Sequence, residues 1–220
     1  MKRTWASTKL NGGIMRLSKK TVLAVVTAGI LFSTFPSGVQ AGVPTEQVRQ
    51  TADKVLQVLQ DPQSKSNSNA AQRREQLTQI LASRFDFAEM AKRSLGANWQ
   101  KGSASEQQQF VRLFTNLLES SYIGQIEAYS GEKIIYGRET VEQNQADVET
   151  KIITKKSEEV SVNYKLKGDG GNWKVYDVVI ENVSLVNNFR NQFNRMLAKG
   201  SFADLISQLE SKSTLRHDRS

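Results

Sequence analysis

Apolar residues recur at two different intervals along this chain, and the change of interval divides it. From the Pro44-Thr45 pair onward the interval is helical: Val48, Ala52, Val55, Leu56 and Leu59 share one face of a first helix, which Asp61-Pro62 ends. The polar run "QSKSNSN" follows, then a second helix with Leu77, Ile80, Leu81 and Phe85. "FDFAEMAKRSLGANW" reads as a short helix stopped by Gly96, with Trp99 just beyond it. Ser103 and Glu106 have the spacing of a capping box and open a long helix carrying Phe110, Phe114, Leu117, Leu118, Tyr122 and Ile126 inward.

After Ser130-Gly131 the interval becomes two. "KIIYGRETVE" is a first, imperfect strand; Ala146, Val148, Thr150 and Ile152 share a face of the second; Val160, Val162, Tyr164 and Leu166 share a face of the third. "GDGG", residues 168–171, is a hairpin turn into a fourth strand, "KVYDVVIENV", that breaks the alternation. Strict alternation places Val175 and Val179 on one side and Tyr176, Val178 and Ile180 on the other, so both faces are apolar. A central strand covered on both sides produces this pattern, and so does a strand with packed core on one face and a ligand cavity on the other. The helical interval returns from Ser184, with Leu185, Val186, Phe189, Phe193, Met196 and Leu197 inward as far as Gly200. Ser201 and Asp204 then cap a last helix bearing Phe202, Leu205, Ile206 and Leu209. The predicted class is α+β: helices, an antiparallel meander of about four strands, then two closing helices.

The first 41 residues have another logic. Lys2, Arg3, Lys9, Arg16, Lys19 and Lys20 come without a single acid, ahead of the apolar run "VLAVVTAGILFSTF", Pro36 and the small-residue signature Val39-Gln40-Ala41. That succession is a secretory leader with cleavage expected after Ala41, and its apolar run is shorter than the roughly 20 residues of a bilayer span. Met15 offers a second possible start. The domain expectation is therefore a leader at 1–41, one folded domain at 42–211 and a flexible tail at 212–220, with the mature protein in the periplasm.

Charge looks different without the leader. The chain has 30 Lys and Arg against 22 Asp and Glu, and six of the basic residues lie in the leader, which leaves 24 − 22 = +2 for the remainder. With no basic stripe interleaved with aromatics, nucleic acid is not an expected partner. No cysteine is present, so thiol catalysis and thiolate metal sites are excluded. The single histidine, His217, lies in the expected tail, which leaves a Ser-His or Cys-His pair without a base in the core. "SGEK", residues 130–133, matches S-x-x-K by letters but lacks the partner motifs of an acyl-enzyme, and no helix follows "GDGG" to make it a phosphate loop. Two carboxylate pairs, Asp177 with Glu181 and Asp86 with Glu89, keep a hydrolase reading open, although solvated strand edges and helix first turns account for them equally well.

Three stretches carry a resemblance. "FDFAEMAKRSLGANW", "EQQQFVRLFTNLLESSYIGQIEAYS" and "WKVYDVVIENVSLVNNFRNQFNRML", in that order, resemble the MlaC or toluene-tolerance family of periplasmic phospholipid carriers, and the likeness spans essentially the whole chain after the leader. The resemblance implies a twisted NTF2-like sheet with helices around it and an apolar cavity that holds the two acyl chains while the headgroup stays at the mouth. It implies lipid shuttling between an outer-membrane lipoprotein complex and the inner-membrane MCE ring of an ABC transporter, with no cofactor, no catalytic residues and no metal. Two acyl chains hold roughly 30 methylenes, whose exposure at about 0.8 kcal/mol each amounts to on the order of 24 kcal/mol, so such a carrier must bury nearly all of them. On this reading Tyr176, Val178 and Ile180 face lipid, joined by Val162 and Tyr164 from the strand before and by Phe114, Leu118, Tyr122, Phe189 and Phe193 from the helices. Arg190, Arg195 and Lys199 are candidates to meet the phosphate at the mouth. The rival expectation is a non-catalytic structural or interaction protein of the cell envelope with a conventionally packed core.

Overall fold

Pro44 sits in the first turn of helix α1 (Val43–Gln60), where its missing N–H belongs to no helical hydrogen bond. The computed structural model describes residues 42–62, 69–129 and 131–217; the expected leader and Ser130 lie outside them. No side chain of its own caps α1. Instead the Glu139 carboxylate, from the first strand, accepts the Thr45 N–H at 2.7 Å. The carboxylate lies close over Gly42, where a Cβ would stand 1.8 Å from Glu139 Oε1 and would displace it.

Helices α2 (Ala70–Arg84), α3 (Phe87–Leu95) and α4 (Ala104–Glu127) follow, with a 3₁₀ stretch over Gly96–Lys101 between the last two. Asp86 caps α3 by accepting the Glu89 N–H, and Gly96 ends it at a φ of 55°. The Ser103–Glu106 capping box forms reciprocally, as the sequence predicts. Helices α5 (Leu185–Leu197) and α6 (Phe202–His217) close the chain, capped by Ser184 and by the Ser201–Asp204 pair. The apolar stripe of α6 ends at Leu209, yet its backbone stays helical to His217, so residues 212–217 continue the helix and residues 218–220 lie outside the description.

The sheet is an antiparallel meander in the order β1-β2-β3-β4-β5: Lys133–Glu142, Gln145–Ile153, Glu159–Asp169, Asn172–Ile180 and Val183–Ser184. The first four match the expected strands, and β5 is a two-residue return into α5. One expectation is corrected here. Leu166 pairs with Val175 and Lys165 with Asp177, so Tyr176 is the extra residue of a β-bulge. The bulge puts Val175 on the same inner face as Val178 and Ile180, which pair with Tyr164 and Val162. A sequence period of two cannot register an inserted residue, and the apparent doubly apolar strand is largely this slip of register.

Two hydrophobic cores result. The helical one gathers α3, α4, α5 and α6 around Phe110, Phe114, Phe189, Phe193 and Phe202. The sheet core lies under α1 and consists of smaller side chains, among them Val48, Ala146, Val148, Val162, Leu166, Val175 and Val178. Phe85 packs against both. The backbone fixes it there: Asp86 N–H donates to the Val175 carbonyl at 2.8 Å, laying the α2–α3 junction along the open edge of β4. Arg84, one residue earlier, donates to Gln47 Oε1 and to the Trp173 carbonyl, tying α2 to α1 and to the β3–β4 hairpin.

Candidate functional site

An apolar cavity of about 130 Å³ opens where the two cores part. Its floor is the end of β4, Val178 and Ile180. Leu81 and Phe85 of α2 and its exit, Phe87 and Met90 of α3, and Leu185 of α5 form three walls. The fourth is one face of α4, Leu118, Glu119, Tyr122 and Ile126, which the helical repeat brings into register. Glu181 and Asn182 adopt positive φ values of 48° and 64° in the tight β4–β5 turn, on whose two sides Ile180 is 38 % and its strand partner Val183 58 % exposed.

Four of the residues expected to meet lipid, Leu118, Tyr122, Val178 and Ile180, are brought together around this space. Val162 and Tyr164 lie next to it on the inner face of β3, opposite Ile180 and Val178. Phe114, Phe189 and Phe193 are elsewhere: they interlock with Phe110 and Phe202 through stacked and edge-to-face contacts at centroid distances of 5.3–6.0 Å. Tyr176, the bulged residue, does not line the cavity; its ring lies 4.0 Å below the Arg93 guanidinium and its hydroxyl donates to Gln145 Oε1. The three basic candidates also fall outside the lining. Arg190 donates to the Arg93 carbonyl at 2.8 Å, and Arg195 and Lys199 are exposed toward the far end of α5. Ten residues along that helix from Leu185, Arg195 is about 15 Å away.

Sequence reasoning missed Phe87, Met90 and Glu119 as wall residues and took Leu81, Phe85, Ile126 and Leu185 for ordinary core. In "FDF" the rings of Phe85 and Phe87 stack on each other at a centroid distance of 5.8 Å, both against the helical core, and Phe85 reaches the sheet core as well.

Charge is sparse here. Burial pushes the Glu119 carboxyl above the ordinary carboxylate range and the Tyr122 phenol above its own. Both carboxylate pairs considered for catalysis have structural partners instead. Asp177 accepts from the Ser184 hydroxyl at 2.6 Å and the Val186 N–H at 3.0 Å, and Glu181 accepts the Ser161 N–H. Asp86 caps α3, and Glu89 pairs with Arg93 at 2.8 Å. A wider depression of about 370 Å³ between α3 and the start of α4 is an open groove lined by Asp86, Glu89, Lys92 and three amide or indole side chains.

A two-layer arrangement of helices on a bulged antiparallel meander, with an apolar cavity at their junction, is the architecture of a small-molecule-binding protein whose ligand is hydrophobic. Residues 49–211 match the MlaC protein family, and the chain belongs to that family. It is 23% identical over 199 residues to the intermembrane phospholipid transport system binding protein MlaC of Haemophilus influenzae, covering 88% of this chain and 92% of the relative. It is also similar in fold to the phospholipid-binding protein of Ralstonia solanacearum, solved in complex with a phospholipid. The TM-score is 0.70 at 24% identity, over 80% of this chain and 98% of the other.

Proposed function

We propose that this protein is a periplasmic phospholipid carrier that takes up a diacyl lipid in the cavity between α4 and β4. On this reading it moves lipid between an outer-membrane lipoprotein complex and the MCE ring of an inner-membrane ABC transporter, after removal of residues 1–41. The observation that carries the reading is the cavity itself: its exposed surface is apolar, Glu119 is the one charged residue in its walls, and it lies where the two cores meet. Membership of the MlaC family supports it, as does the phospholipid in the structure of the Ralstonia solanacearum protein.

At about 130 Å³ the space is below the 300–1,000 Å³ typical of ligand pockets, so loading requires its walls to separate. The wall held least by burial is α2, whose only fully buried residue is Leu77. A clasp at its start joins it to α4, where Arg73 and Arg74 both pair with Glu127 at 3.0 Å. Lateral movement of α2 away from α4 widens the cavity without disturbing either core. Non-directional apolar burial suits a carrier, because it tolerates chains of different length and holds them little more tightly than a bilayer does.

The test is organic extraction of protein purified from the periplasm, followed by mass spectrometry. One diacyl phospholipid per chain is expected. A protein free of lipid that also fails to take up labelled phospholipid from vesicles would return the fold to the reading of a packed envelope protein.

A further inference from the structure

Two oxygen acceptors converge on the start of α1, with more capacity than an internal peptide bond can fill. Glu139 spends one carboxylate oxygen, Oε2, on the Thr45 N–H at 2.7 Å. Its other oxygen, Oε1, lies 1.8 Å from the point where a Cβ would stand on Gly42. The Gly42 nitrogen is bonded to that same Cα, which puts it at most about 4.3 Å from Oε1. The second acceptor is Thr45 Oγ1, which is buried and has no hydrogen-bond partner among the described residues. A buried hydroxyl left unpaired is costly. Gly42 is the N-cap of α1 and Thr45 its third residue, the position from which a capping-box side chain reaches back to the N-cap nitrogen.

We propose that Glu139 and Thr45 form a seat for the α-ammonium that removal of residues 1–41 creates on Gly42, Glu139 Oε1 pairing with its charge and Thr45 Oγ1 accepting one of its N–H groups. The inference rests on the cleavage after Ala41 that belongs to the carrier reading. Hydrolysis of the Ala41–Gly42 bond leaves a carboxylate on Ala41 and an ammonium on Gly42. Before it, the same nitrogen is a neutral amide with a single N–H; afterwards it carries a positive charge and three. A cation at a helix N-terminus is disfavoured by the macrodipole, so an ammonium here needs a counter-charge. Glu46, the acid of the first turn, faces Arg49 at 3.6 Å, which leaves Glu139 to supply it through a charge-assisted hydrogen bond. Helix α1 brings Val48 into the sheet core, and its Gln47 accepts the Trp173 N–H at 2.9 Å. Leader removal thereby adds a fastening of this helix to β1 that the precursor lacks.

The test begins with the intact mass of the protein purified from the periplasm, expected to start at Gly42. Its α-amine is then acylated at neutral pH, and the rate is followed by mass spectrometry of the N-terminal peptide. A paired ammonium holds its proton and reacts slowly. The folded wild type is expected to react several-fold more slowly than Glu139→Gln, which keeps an oxygen for the Thr45 N–H but loses the charge, and the two should react alike in urea. Thr45→Val should raise the rate by a smaller factor. A protein that retains Ala41 ahead of Gly42 tests the seat with every folded residue unchanged: its displaced amine should react at the faster rate, and it should melt below the processed protein. Equal rates for folded wild type and Glu139→Gln, or an Ala41-retaining protein that matches the processed one in both rate and melting, overturn the seat and leave the cleavage reading standing. A mature protein that begins at another residue overturns the cleavage after Ala41, and the seat with it.

Discussion

The helical core and the sheet core use different means of filling space. In the former, five phenylalanine rings lock together edge to face and stack to stack, and Phe110 and Phe114 are wholly removed from solvent. The latter is built mostly from valines, with Ala146, Leu166 and Thr150, whose hydroxyl is satisfied by the Val162 carbonyl at 2.6 Å. Each core is closely packed, and the apolar cavity lies at the seam between them. A void inside either core would lower stability directly. At the junction it borders both cores without interrupting the packing inside either.

That contrast is most easily broken in the helical core. Phe114→Ala removes a ring that touches Phe110, Phe189 and Phe193, and a loss of about 3–5 kcal/mol is expected in denaturant unfolding. A loss well under that range would show the ring cluster to be loosely packed and more like the seam. Asp177→Ala comes next. It strips the buried Val186 N–H and the Ser184 hydroxyl of their acceptor where β4 hands over to α5, for an expected cost of about 1–3 kcal/mol. Chemical denaturation with a tryptophan fluorescence readout measures it.

Smaller effects are expected at the seam, where they should appear in lipid exchange more than in stability. Glu127→Gln weakens the clasp on Arg73 and Arg74 and should cost about 1 kcal/mol or less, given how exposed Arg74 is. Transfer of a fluorescent phospholipid to acceptor vesicles should nevertheless be faster, and raised salt should reproduce the effect in the wild type; equal rates at both positions of this comparison would remove α2 as the moving wall. The smallest effect concerns pH. Burial raises the folded-state pKa of Glu119, so with both states protonated in acid this residue costs nothing. As pH rises through the unfolded value near 4.3 and then through the folded one, its ionisation progressively lowers stability. Glu119→Gln should therefore melt at or slightly above the wild type at neutral pH, with the difference vanishing in acid. A variant that melts lower at neutral pH would mean the carboxylate has a stabilising partner.

Much of this was legible in the sequence because it follows from period and capping. The Ser103–Glu106 box, the Ser201–Asp204 cap and the four long strands all come from local chemistry that a neighbouring residue or two can specify. The β4 bulge was not, because Leu166 pairing with Val175 is a choice made between strands, and Tyr176 offers no mark of its exclusion from the pleat. The same limit applied to the site. Helical spacing shows that Phe114 and Leu118 both face inward, but not that one meets three rings while the other meets a cavity. Glu119 escaped notice for the opposite reason: an acid beside an apolar stripe reads as the edge of a solvated face, and only the approach of α2 and β4 turns it into the wall of a cavity.

The claim at the centre of this account is that the seam, rather than either core, receives the acyl chains. Ile180 tests it most directly, because it lines the cavity yet is 38 % exposed, so an arginine there can place its charge in water and leave the fold intact. Native mass spectrometry of the wild type and Ile180→Arg, purified side by side from the same cells, reads fold and ligand together. The account predicts a wild type that carries the mass of one diacyl phospholipid and a folded Ile180→Arg protein that has lost it. A phospholipid adduct of equal occupancy on both proteins, or none on the wild type, would contradict it.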